Sequence, residues 1–137
     1  MARYILVVDD EPQTVKLVRI ALEREGFEVE EASNGAECLL AIGRHRPDLV
    51  ILDVAMPVLD GFQTLRVIRE KPETKDLPVL MLTARREDHD VLRGWAGGVD
   101  LYLTKPFQID ELLAATKRLV AATESPDLNE ETEPSQA

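Results

Sequence analysis

Apolar positions along this 137-residue chain fall into two alternating patterns. Short unbroken runs such as Tyr4-Ile5-Leu6-Val7-Val8 and Leu49-Val50-Ile51-Leu52 are separated by segments in which apolar residues recur at helical spacing. Strands are predicted near residues 4–8, 27–32, 49–53, 78–83 and 101–103, and three unbroken runs among them (4–8, 49–52 and 101–103) read as buried on both faces. The first intervening segment opens with Pro12, which suits a first helical turn, and sets Val15, Val18 and Leu22 on one face with Lys16, Arg19 and Glu23 outside it. Similar spacing predicts helices near 35–45, 61–71, 86–95 and 109–123. Gly26, Gly43 and Gly97-Gly98 fall near the predicted helix ends, and Pro47, Pro72 and Pro78 punctuate the approaches to strands three and four.

Strict β-α alternation predicts the α/β class, a doubly wound five-stranded parallel sheet with five helices on its two faces. The length suits one domain, and no apolar stretch approaches the ~20 residues that span a bilayer, so no membrane insertion is expected. A single cysteine, Cys38, excludes an intrachain disulfide and fits a cytoplasmic setting. The formal charge of -10 argues against direct nucleic acid binding, which needs clustered Lys and Arg. Five of those charges (Glu124, Asp127, Glu130, Glu131, Glu133) lie in 124–137, which also holds Pro126 and Pro134. The division expected is therefore a folded unit over 1–123, then an acidic disordered tail or linker over 124–137.

Chemistry gathers where the strands end. The first runs into Asp9-Asp10, the third into Asp53, the fourth into Thr83 and the fifth into Thr104-Lys105-Pro106. Ligands of parallel α/β sheets sit at the strand carboxyl ends, so these side chains are expected to share one pocket. Carboxylates ~5 Å apart repel by roughly 3 kcal/mol at an effective dielectric of ~20, which a divalent cation or protonation would relieve. The competing reading of any single Asp after a strand is a cap for the next helix. For the third helix, however, Asp60 before Gly61-Phe62 supplies that cap better, leaving Asp53 free to act as a nucleophile toward phosphorus. Lys105, its backbone restricted by Pro106, supplies the counter-charge, and Thr83 supplies a hydroxyl. His45, His89 and Cys38 lack metal-ligand spacing; the histidines read as surface residues and Cys38 as a small buried hydrophobe.

Over roughly residues 3–122 the chain resembles the receiver domain of bacterial two-component response regulators, the CheY-like family. The resemblance rests on Asp9-Asp10, Asp53, Met56-Pro57, Asp60-Gly61, Thr83-Ala84 and Lys105-Pro106-Phe107 in order and spacing. It implies strand order 2-1-3-4-5 and a cis Lys105-Pro106 bond. It implies Asp53 as phosphoacceptor, with Mg²⁺ (or Mn²⁺) held by Asp10, Asp53 and the main-chain carbonyl of Ala55, and Asp9 helping through water. Thr83, the Ala84 amide and Lys105 would hold the phosphoryl oxygens, and Thr83 and Tyr102 would form the switch. The implied partners are a sensor histidine kinase or histidine phosphotransfer protein, and an unknown downstream protein or fused output domain. The chain itself would be no enzyme beyond assisting its own phosphorylation and dephosphorylation. Its signalling surface would be made by the fourth helix, fifth strand and fifth helix.

Winged-helix transcription factors of that family usually carry two acids before the switch Tyr and an Arg in the middle of the last helix. Here Asp100-Leu101-Tyr102 and Ala114-Ala115-Thr116 lack the second acid and the arginine, so the corresponding dimer is not expected. Trp95 lies near the same surface, where packing is the commoner role. Three other readings compete. A small aspartyl-phosphate phosphatase would want Asp-x-Asp after the first strand, which Asp9 and Glu11 mimic loosely. A flavodoxin-type cofactor module would want a Ser/Thr/Gly-rich phosphate loop, where Asp9-Asp10-Glu11 would repel phosphate. A receiver-fold binding module without phosphotransfer would have no use for the intact acid, Thr and Lys set.

Overall fold

Residues 3–84 and 97–124 are described by the structure, a computed structural model. In chain order they form β1 (Tyr4–Val8), α1 (Pro12–Arg24), β2 (Glu28–Ala32), α2 (Gly35–Arg44), β3 (Leu49–Asp53) and α3 (Gly61–Glu70). Then come β4 (Val79–Thr83), β5 (Leu101–Thr104) and α4 (Ile109–Glu124). The five strands make one parallel sheet in the order β2-β1-β3-β4-β5, as expected. The helix predicted near 86–95, with His89 and Trp95, and the tail from 125 onward lie outside the described residues.

Alternate side chains of each central strand feed opposite faces of the sheet. Leu6, Val8, Val50, Leu52, Val79 and Met81 pack with residues of α2 and α3, among them Cys38, Leu65 and Ile68. Ile5, Val7, Leu49, Ile51, Leu80 and Leu82 pack with α1 and α4 through Val15, Val18, Leu22, Leu112 and Val120. Because both faces are covered, β1, β3 and β4 are buried throughout and read in sequence as unbroken apolar runs. β5 departs from the expectation of two buried faces: all four of its residues are half-buried, because it lies at the edge of the sheet. β2, the other edge strand, turns Glu28, Glu30 and Glu31 outward, charges that discourage pairing with a further strand.

Local signals place the helices. Pro12 occupies the first turn of α1. Asn34 caps α2 by accepting from the Glu37 amide, and Asp60 caps α3 in a reciprocal box with Gln63 at 2.8 and 2.9 Å. Gly26 adopts φ +92 just after α1, the left-handed conformation that glycine tolerates. Cys38 is buried as expected, its thiol pushed up to about 12 by burial. His45 is exposed and stacks on Tyr4 with ring centroids 4.4 Å apart.

One tie between α3 and the approach to β5 had no signal in the sequence. The Arg69 guanidinium donates to the carbonyls of Gly98 at 2.9 Å and Leu77 at 2.7 Å and to the Asp100 carboxylate at 3.0 Å. Asp100 also accepts the Val79 amide, so one acid joins the starts of β4 and β5. Asp100, the one acid that precedes Tyr102 at this point, is thus engaged within its own chain.

Candidate functional site

Three strand ends bring the predicted residues together. Asp9 follows β1, Asp53 closes β3, and Lys105 directly follows β5 and is joined to Pro106 by a cis bond. The Lys105 amide donates to the Thr83 carbonyl at 2.7 Å, which seats the lysine beside the end of β4. Its Nζ then lies 2.8 Å from Asp9 Oδ2 and 3.2 Å from Asp53 Oδ1. Asp9 and Asp53 are buried, at 2% and 5% exposure, whereas Asp10 is exposed. Carboxylate oxygens of Asp9, Asp10 and Asp53 all lie within 4.8 Å of one another.

Such crowding has an electrostatic cost that can be read from the groups themselves. Burial first, and the charge of Asp9 second, push the Asp53 carboxyl up to about 6 from an ordinary 3.8, although Lys105 pulls it down. Burial lowers Lys105, but its hydrogen bond to Asp9 and the charge of Asp53 outweigh that, so the ammonium is held above its ordinary value. A group of three oxygen-bearing acids, two of them buried against one lysine, is a donor set for a hard divalent cation. Mg²⁺ fits this chemistry: it takes one or two carboxylates together with water and phosphate oxygens, and Asp10 faces solvent.

The remaining predicted residues distribute around this centre. Thr83 is buried at the end of β4, in register with Thr104. Ala84 follows it and is exposed, as is Ala55 in the loop after Asp53. Tyr102 is half-buried and packs against the core beneath α2 and α3. The apolar 54–60 loop divides: Val54 and Met56 pack on that same core, whereas Val58 is 76% exposed with φ +73, a strained backbone for a β-branched residue.

Two features of the site escaped the sequence reading. Glu11 brings a further carboxylate to Lys105, with Oε1 3.4 Å from Nζ. Gly61 is a contact requirement, since a Cβ there would meet the Asp53 carbonyl oxygen at 2.5 Å and Val54 Cα at 2.8 Å. The Gly61 signal was present as Asp60-Gly61. The Glu11 signal was not, because its partner lies 94 positions away.

An acidic trio and a lysine at the carboxyl edge of a β2-β1-β3-β4-β5 sheet match a known arrangement, and the family model of the response regulator receiver domain matches residues 5–117. The chain belongs to that family. Among relatives of this receiver domain, the phosphate regulon transcriptional regulatory protein PhoB of Rhizobium meliloti is 43% identical over 116 residues, covering 85% of this chain and 51% of PhoB. The chain thus spans about half the length of the transcriptional regulators it matches. The chemotaxis response regulator CheY4 of Vibrio cholerae superposes with a TM-score of 0.82 at 34% identity, covering 87% of this chain and 99% of CheY4. The receiver domain of the Pseudomonas aeruginosa sensor kinase PA1611, at TM-score 0.81 and 29% identity, covers 88% of this chain and 99% of its own, and carries a magnesium ion in its active-site cleft. Neither the phosphatase nor the flavodoxin-type alternative finds support in these likenesses.

Proposed function

We propose that this receiver domain accepts one phosphoryl group on Asp53 from the phosphohistidine of a sensor histidine kinase or histidine phosphotransfer protein. The observation that carries the reading is the Asp53 carboxylate, buried at the end of β3 with Lys105 3.2 Å away and two further acids beside it. Asp10, Asp53 and the carbonyl of Ala55 would hold Mg²⁺ or Mn²⁺, with Asp9 helping through water. When bound, that cation neutralises negative charge on the transferring oxygens.

Asp53 supplies the nucleophile: an Oδ attacks phosphorus in line, an O–P bond forms as the donor's N–P bond breaks, and the imidazole leaves and takes up a proton. Lys105 offers an ammonium to the phosphoryl oxygens, joined by the Thr83 hydroxyl and the Ala84 amide. Asp9 keeps Lys105 in place meanwhile, since its Oδ1 is fixed by the Glu11 amide at 2.9 Å and its Oδ2 faces the ammonium.

Phosphorylation adds about -1.5 to -2 of charge, by analogy with other phosphorylated side chains, and gives Thr83 a new acceptor. Movement of Thr83 toward it would open room for Tyr102 to turn inward and reshape the surface of β5 and α4. This is a two-state equilibrium biased by the modification. That surface would engage a downstream protein or a fused output domain, with residues 1–123 as the receiver unit and 124–137 as tail or linker.

Intact-mass spectrometry after incubation with acetyl phosphate and Mg²⁺ tests the assignment. One added phosphoryl group is expected on the native chain and none on Asp53→Asn; equal uptake by both would refute it.

A further inference from the structure

Lys105 meets three carboxylates, and an ammonium has three N–H donors to share among them. If Asp53 carries a phosphoryl group, as proposed above, one of those donors must turn to a phosphoryl oxygen. The three partners are not equally able to yield. Asp9 is buried, with both oxygens engaged inside the protein. Asp53 is the residue being modified. Glu11 makes the longest contact, 3.4 Å, and its side chain is 65% exposed, so water can replace what it loses.

Glu11 also stands at the N-cap of α1 without capping it. Its Oε1 accepts from the Thr14 hydroxyl at 3.4 Å and faces Lys105. Glu11, Thr14, Ala84, Lys105 and Pro106 line one surface groove, so the acid stands beside the residues expected to hold phosphoryl oxygens. We propose that Glu11 is a positioning residue that restrains the Lys105 ammonium in the unphosphorylated protein, and that its hold is the one released when Asp53 is phosphorylated. The inference rests on Asp53 being the acceptor.

Initial rates of phosphoryl uptake at saturating acetyl phosphate with Mg²⁺, followed by intact mass, provide the test. Glu11→Gln should raise the rate about threefold or more, the size expected for releasing an exposed ion pair. Glu11→Asp keeps the charge but loses a methylene of reach, and should be raised as well. Adding Glu11→Gln to Lys105→Met should change nothing further. The inference is overturned if Glu11→Gln does not exceed the native rate, or if Glu11→Asp stays at that rate. It is also overturned if the same gain persists without Lys105, which would make Glu11 only a charge that repels the donor. Where Lys105→Met takes up no phosphoryl group, the Asp variant decides. Absence of uptake by the native chain is a different result: it would remove the Asp53 assignment itself, and this inference with it.

Discussion

Burial and the neighbouring Asp9 raise the Asp53 carboxyl to about 6, so in the cation-free protein its ionisation opposes folding. The value in the folded state lies above that of the unfolded chain. Stability linked to this group is therefore complete below about 3.8 and is lost as pH rises through about 6. Asp53→Asn removes that loss. In urea unfolding without divalent cation near pH 7.5, the variant should exceed the native chain by on the order of 1–2 kcal/mol, and the two curves should converge toward pH 4. A variant no more stable than the native protein near pH 7.5 would contradict the strained-carboxylate reading. At this scale Asp9, Asp10, Asp53, Thr83 and Lys105 were legible because each ends an apolar run, and runs in a parallel sheet end at one edge. Glu11 and Arg69 were not, since their partners Lys105 and Asp100 lie 94 and 31 positions away and nothing local marks either contact.

Between β3 and α3 the chain turns tightly enough that the helix start abuts the backbone of Asp53. The Gly61 amide donates to the Val54 carbonyl at 2.8 Å, and the Asp60–Gln63 box holds the first turn of α3. Gly61→Ala places a methyl against the Asp53 carbonyl and should cost about 1–3 kcal/mol, as overpacking does elsewhere. It should also slow phosphoryl uptake, because the carboxylate moves with its backbone. Unchanged stability and unchanged uptake together would show that the close approach is not real. Asp60 could be picked out as a cap from residue types alone, whereas the need for glycine after it depends on a tertiary approach to β3. The same distinction explains the strands. β1, β3 and β4 were plain as runs because both their faces are covered, but β5 has the same kind of run, and its half-burial follows from an edge position that no local pattern reports.

For the whole molecule, two apolar cores fix the sheet rigidly and leave the charge problem concentrated at its carboxyl edge. A ligand that binds only the folded state stabilises it in proportion to the logarithm of its concentration once sites fill. Mg²⁺ should accordingly raise the thermal midpoint near pH 7.5 in a dose-dependent way. That gain should fade as pH falls through about 6 and Asp53 becomes protonated, because the proton and the cation compete for one carboxylate. Asp10→Asn should weaken the gain at every pH. A midpoint indifferent to Mg²⁺ in the native chain would leave the acidic trio without its proposed ligand.

Reduction of the phosphorylated protein with borohydride tests the central claim most directly, because an acyl phosphate on aspartate is reduced to homoserine, whose position peptide mass spectrometry reads. Conversion at residue 53, dependent on prior phosphorylation, is the expected result. Homoserine at any other aspartate, or a phosphoryl group resistant to the reagent, would contradict it.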